Sequence, residues 1–200
     1  GAPWTLYRYM SGNVLAGNID EFDGAYMMTR LVDYIVEHLS QQIKAGCDTV
    51  QVFDSWASDL EEEHIIPYCY EPTAQIVERL KALHPDVGII VFPRLIGEEI
   101  NNFSKYVNAD CISLSDDMKT DWILKRMGHQ CLQGGIPPQV LLSERKEEII
   151  RGTVPMIRQM KDCAYVVNLA HGINKETPVE NVRFFIEIVK RNRENITRET

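Results

Sequence analysis

Six short segments of this chain end an apolar run with side chains able to hold an anion or move a proton. They are Tyr7-Arg8-Tyr9-Met10-Ser11, Phe53-Asp54-Ser55-Trp56, Phe92-Pro93-Arg94, Leu114-Ser115-Asp116-Asp117, Gln133-Gly134-Gly135-Ile136-Pro137 and Asn168-Leu169-Ala170-His171-Gly172. His171 is the sharpest of them: an imidazole at a glycine-containing turn can donate or accept a proton near neutral pH, or bind an anion. Each group also has a plainer reading. His171 can tie down its own turn, and Tyr9 can be a rim aromatic. Ser55 and Asp116 can cap helices, Asp54 can hold a turn, and Arg94 can be a surface cation. Together they form a polar set with no nucleophile–base pair, no Gly-x-Ser-x-Gly elbow and no metal cluster. Such a set suits holding a polar, anionic molecule and acid–base chemistry on it better than covalent catalysis.

The elements that must position these groups alternate. Apolar β-rich runs are expected at about Pro3–Leu6, Thr49–Phe53, Gly88–Phe92, Cys111–Leu114, Gln130–Gln133 and Tyr165–Leu169, separated by segments of helical period. Leu31, Ile35, Leu39 and Ile43 recur one turn apart in a helix expected from Asp20 to Ala45, with Gly46 as its stop. Ser143 is the expected N-cap of a helix that Pro155 should kink or split. Thr177-Pro178-Val179-Glu180 reads as a capping box opening the last helix. Spacings of about 20 to 45 residues between the runs, without hairpin signals, imply parallel strands joined by helical crossovers. A doubly wound sheet and a (β/α)8 barrel both fit. No GxGxxG follows the first run and no GxxxxGK[ST] occurs, which counts against nucleotide cofactors. Six strand–helix units are two short of a barrel. The strand-like opening without methionine favours the last six units of one, in a single structural unit over 1–200. Such a piece alone is expected to be inactive and aggregation-prone, because it would expose raw sheet edges.

Two hundred residues, 44% of them apolar and 25% charged, suit one globular domain. A net charge of −8 argues against a nucleic-acid partner and requires any polyanion site to gather positive charge locally. No run approaches a membrane span, and no signal-peptide pattern opens the chain. Cys47, Cys69, Cys111, Cys131 and Cys163 are widely spaced without CxxC, and read as reduced, buried packing residues of a cytosolic protein.

At the same strand ends the chain resembles the uroporphyrinogen decarboxylase family. Gly1-Ala2-Pro3-Trp4-Thr5-Leu6 followed by Tyr9-Met10 resembles that family's GAPWTL..YM segment. Phe53-Asp54-Ser55 resembles its F-[DE]-S strand end, Leu132-Gln133-Gly134 its LQGN turn, and Asn168 to Gly172 its NLGHG. The likeness runs over essentially all 200 residues and covers about the last three-fifths of the family's length. It implies a (β/α)8 TIM barrel, usually a cytoplasmic homodimer. It also implies removal of carbon dioxide from the four acetate side chains of the tetrapyrrole uroporphyrinogen, giving coproporphyrinogen without metal or organic cofactor. In the family the pyrrole is the electron sink: ring protonation makes an iminium-like system, carbon dioxide leaves, and the resulting methylene is protonated. By position the resemblance makes Tyr9, Ser55 and His171 the active-site tyrosine, serine and histidine, with Phe53, Asp54 and Arg94 on the substrate side.

The chain departs from the pattern in several places. The family's central aspartate and its substrate-binding arginines align before Gly1. Its NLGHG glycine is Ala170, the asparagine and aspartate after Gln-Gly are Gly135 and Pro137, and its Leu-Asp-Trp strand end reads Leu114-Ser115-Asp116. Arg94 stands where many members carry lysine. Two other functions follow from these departures. One is a zinc- or corrinoid-dependent methyltransferase of the same superfamily, although His171 lacks the cysteine two positions on that such zinc sites use. The other is a catalytically decayed, tetrapyrrole-binding barrel.

Overall fold

The computed structural model describes residues 1–199, with the side chains of residue 21 and of 193–199 outside the description. The chain divides into two compact units, the first Gly1–Ile112 and the second beginning at Ser113.

The first unit opens with a helix, α1 (Pro3–Met10), where a strand is expected from the sequence. Pro3 sits in its first turn, where a missing N–H costs nothing and a fixed φ already suits the helix. Trp4, Thr5 and Arg8 face inward at helical spacing. A run of six apolar-rich residues is too short for its period to separate the two conformations. Helix α2 (Glu21–Lys44) matches its expected span, and Asp20 caps it by accepting from the N–H groups of Phe22 and Asp23. Leu31, Val32, Ile35, Val36 and Leu39 form its buried stripe, while Ile43 is only half-buried. Gly46, at φ +109°, turns the chain away in a conformation other residues resist.

Strand β1 (Thr49–Asp54) follows, then α3 (Glu62–Ile65), which runs through a π-helical turn at Ile66–Tyr70 into α4 (Glu71–Leu83). Pro67 and Pro72 cannot donate to the helical ladder, and Glu71 N–H instead reaches back five residues to Ile66. The widened turn buries Tyr68, Cys69 and Tyr70. Strand β2 (Gly88–Pro93), α5 (Ile100–Val107) and β3 (Cys111–Leu114) complete the unit, with β3 crossing into the next. The β1–β2 pairing is parallel from Thr49↔Gly88 to Asp54↔Pro93, and β2 pairs with β3 through Ile90↔Cys111 and Val91↔Ile112. Ile89, Val91, Ile76, Leu80, Ile100 and Phe103 are buried between sheet and helices.

The second unit carries α6 (Thr120–Met127), β4 (Cys131–Gly134), α7 (Lys146–Gln159), β5 (Tyr165–Val166) and α8 (Val179–Glu199). Strands β4 and β5 run parallel through Leu132↔Tyr165 and Gln133↔Val166, and a bridge between Ile136 and Leu169 continues the pairing. The strand expected to reach Leu169 therefore stops at Val166 and resumes for one contact. Ile136, Leu141, Ile149, Phe185 and Ile188 form this unit's core between α7 and α8.

Sheet order follows chain order, β1-β2-β3-β4-β5, without the reversal of a doubly wound sheet. Five strands, not six, are present among the described residues. Helix α7 runs through Pro155 rather than splitting there. The carbonyl that Pro155 cannot bond belongs to Arg151, which is exposed to water. Ser143 is not its N-cap: the hydroxyl lies two residues upstream of Arg145, accepts that residue's N–H at 3.1 Å and donates to the Glu148 carboxylate at 2.5 Å. The capping box at Thr177 is not formed, since Thr177 Oγ1 is buried without a partner. Cys69 and Cys111 are buried as expected, but Cys131 and Cys163 are half-buried and Cys47 is exposed. No described helix is long and apolar enough to cross a membrane.

Candidate functional site

Within the first unit, α1 lies against the carboxyl end of β1 and is fastened there residue by residue. Ala2 N–H donates to Phe53 O at 2.6 Å, and the Trp4 indole N–H donates to Trp56 O at 3.0 Å. Thr5 Oγ1 donates to Asp54 Oδ1 at 2.8 Å. Strand alternation explains the side chains: Phe53 points outward and is 46% exposed, while Asp54 points inward and is 3% exposed. Burial pushes the Asp54 carboxyl up to about 6, although the Thr5 hydroxyl, the Cys69 thiol and the Trp56 N–H all favour its charged form. Oδ2 makes no hydrogen bond of good geometry, so desolvation wins. Cys69, facing the same carboxylate from the π-helical turn, has its thiol pushed up by burial and by the Asp54 charge.

Around this anchored end stand the exposed groups. Tyr9, two-thirds exposed, meets Trp56 edge-on at 6.3 Å between ring centroids. Ser55 is half-buried immediately before Trp56. Phe53 packs edge-to-face on Phe92, its register partner, at 6.3 Å. Arg94 N–H donates to Asp54 O at 3.0 Å, which brings the β2 end beside the β1 end. Its half-buried guanidinium makes no ion pair among the described residues. The unit thus gathers Tyr9, Phe53, Asp54, Ser55 and Arg94, but Asp54 faces the interior. The buried Asp54 carboxylate holds Thr5 and so anchors α1 on the β1 end. A cavity of about 670 Å³ lies beyond the turns after β1 and β2, lined by Ser58, Leu60, Tyr70, Leu95 and Glu99 among others. Tyr70 OH donates to the Glu99 carboxylate at 2.8 Å, and burial and that acceptor push its ionisation up.

His171 belongs to the second unit. Its Nδ1 lies 3.0 Å from Gly172 O, and a carbonyl can only accept, so Nδ1–H donates there and leaves Nε2 for another partner. Two hydrogen bonds tie the turn: Asn168 Oδ1 accepts the Leu169 N–H at 2.8 Å, and Ala170 N–H donates to Ile136 O at 2.7 Å. Ala170 is buried without a left-handed backbone, so alanine satisfies the position where the family pattern has glycine. The adjoining β4 end needs its glycines. Gly134 has φ +79°, and a Cβ there would sit 3.1 Å from Leu169 O. At Gly135, φ +87°, it would run into Met156 Cε. Tyr165 OH donates to Gly134 O at 2.6 Å, and its burial pushes the phenol ionisation up.

The sequence reading missed Thr5, Arg8, Trp56 and Cys69 as parts of the first unit's site. For Thr5 and Arg8, the inward spacing along α1 is the signal that a helical reading of residues 3–10 would have exposed. Among the described residues, metal-ligand spacing occurs at Glu61, Glu63 and His64, whose ligand atoms lie within 4.8 Å of one another. Both glutamates are exposed, and the group contains no cysteine.

Fold and site together define a parallel α/β protein wound in one direction, with polar and aromatic side chains at its carboxyl strand ends. The family model described as "Uroporphyrinogen decarboxylase (URO-D)" matches residues 1–192, and the chain belongs to this family. Among its relatives is the uroporphyrinogen decarboxylase of Cereibacter sphaeroides, 30% identical over 95% of this chain and 58% of the relative. Those of Orientia tsutsugamushi and Paracoccus denitrificans are 32% and 31% identical over the same shares. The chain therefore spans 58% of the length of these curated relatives.

Proposed function

We propose that this chain is the C-terminal part of a (β/α)8-barrel decarboxylase that converts uroporphyrinogen to coproporphyrinogen in porphyrin and heme biosynthesis. The protein works without metal or organic cofactor, as a homodimer in the cytoplasm. Residues 1–200 act as one part of that barrel domain and do not turn over substrate by themselves.

The observation that carries this reading is the β1 end: the helix Pro3–Met10 is anchored on Phe53-Asp54-Ser55 and holds Tyr9 exposed beside Trp56. Two of the motif segments that mark the family, Gly1–Met10 and Phe53–Ser55, are thus in mutual contact within the first unit. In the reaction, a ring carbon of the pyrrole takes a proton and the ring becomes iminium-like. The bond from the acetate methylene to its carboxylate breaks, carbon dioxide leaves, and the electron pair moves into the ring. The exocyclic carbon then takes a proton and the ring carbon gives one up, so one proton is consumed per carbon dioxide. Phe53 offers an apolar face to a pyrrole, and Arg94, which makes no ion pair among the described residues, offers a cation to a carboxylate on a chain of net charge −8. Tyr9 and Ser55 supply hydroxyl hydrogen bonds, and His171 meets a substrate carboxylate or pyrrole.

Incubation of the intact protein with uroporphyrinogen under anaerobic conditions, followed by chromatography of the products, tests this reading. Stepwise appearance of seven-, six-, five- and four-carboxylate products is expected. Binding without turnover would sink the decarboxylase and favour a tetrapyrrole-binding protein.

A further inference from the structure

Arg8 is the least expected residue of the first unit. It falls at an unspecified place in the Gly1–Met10 segment, yet it is 6% exposed. Its guanidinium carbon lies 5.8 Å from the Trp4 ring centroid and 5.2 Å from that of Trp56, within cation–π range of both. One nitrogen, Nη2, pairs with Asp59 Oδ2 at 3.0 Å, while Nε and Nη1 are buried without an acceptor among the described residues. The Trp56 indole N–H is likewise buried without one. A buried cation with one carboxylate partner is a costly way to fasten a helix, and a well-packed apolar side chain fastens it as well or better. What the planar cation adds is orientation, because it holds the Trp56 indole on one side while Tyr9 rests edge-on against the same ring.

We propose that Arg8 is a positioning residue: through Trp56 it sets the placement of Tyr9 and of the Ser55 turn, acting on the chemistry without touching substrate. The inference rests on the reading of Tyr9 and Ser55 as substrate-contacting groups. Asp59 fixes the far side of the fork from the turn Ala57–Asp59, so α1 and the segment after β1 move as one body. Replacing Arg8 by an apolar residue of similar length leaves the packing filled but releases the indole and, with it, Tyr9.

The test uses the intact protein and two variants, Arg8→Met and Arg8→Lys, with kcat and KM for uroporphyrinogen and the thermal midpoint measured for each. Arg8→Met is expected to keep or raise the midpoint, to lower kcat at least tenfold and to leave KM within twofold. Arg8→Lys should recover at least threefold of that loss. A second readout does not depend on turnover: 3-fluorotyrosine placed at position 9 should give a fluorine resonance that shifts in Arg8→Met and stays near the wild-type position in Arg8→Lys. A kcat within twofold of wild type with an unmoved resonance overturns the proposal. So does a tenfold rise in KM at unchanged kcat, which would make Arg8 a substrate contact. An inactive wild-type protein refutes the decarboxylase reading instead, and the fluorine resonance then decides the role of Arg8 alone.

Discussion

Asp54 makes a pH-dependent statement about stability that can be isolated. Its carboxyl is 3% exposed and is raised from its usual 3.8 to about 6, chiefly by burial, against the opposing effect of the Thr5 hydroxyl at 2.8 Å. A group raised this way binds its proton more tightly in the folded state. Its stabilising contribution is complete below about pH 4 and is lost as pH rises through about 6. The difference corresponds to about 3 kcal/mol, at 1.36 kcal/mol for each tenfold change in proton affinity. Asp54→Asn keeps an oxygen for Thr5 and removes the titration. The stability of Asp54→Asn minus that of wild type should therefore grow by roughly 2.5 kcal/mol between pH 4 and pH 7.5. Urea unfolding of the intact protein followed by tryptophan fluorescence measures it, and other carboxylates cancel in the difference. A difference flat to within about 0.5 kcal/mol over that window would refute the argument that the carboxyl is desolvated and charged near neutrality.

Three further outcomes are expected. His171→Ala should lower the decarboxylation rate of the intact protein by about 10²-fold with an unchanged thermal midpoint, since the half-buried ring supports only its own turn; steady-state kinetics and a melting curve decide it. Gly134→Ala should cost about 1–3 kcal/mol of unfolding free energy, because φ is +79° and the new Cβ would crowd the carbonyls of Leu169 and Leu114 at 3.1 and 3.2 Å. Asn181→Ala should cost about 2 kcal/mol in the same denaturation assay, since its Nδ2 serves the carbonyls of Leu141 and Ser143 at 2.8 and 2.9 Å from a buried position.

Much of the fold was legible in local pattern. The span of α2 follows from one apolar stripe between the Asp20 cap and Gly46, and β3 falls where Cys111–Leu114 is apolar between polar turns. The family was legible too, because the Gly1–Met10 and Phe53–Ser55 segments carry a distinctive order of residue types. Their roles were less so. Ser55 follows β1 as the sequence placed it, whereas Tyr9 lies on a helix instead of a strand end, and Asp54, one position from each of Phe53 and Ser55, faces the interior and binds Thr5. Nothing in three consecutive polar and aromatic residues states which side of the strand an unseen helix will cover.

By itself the sequence determined the alternation of strands and helices, the helix stops and the family, because periodicity, caps and residue order are properties of short stretches of chain. Only the tertiary structure decided that Pro3–Met10 is a helix, that Asp54 is an anchor raised towards neutrality, and that Arg8 lies between two tryptophans 52 residues apart in the chain. Those properties come from desolvation and packing by partners distant in sequence, and a side chain's neighbours exist only once the chain has closed around it.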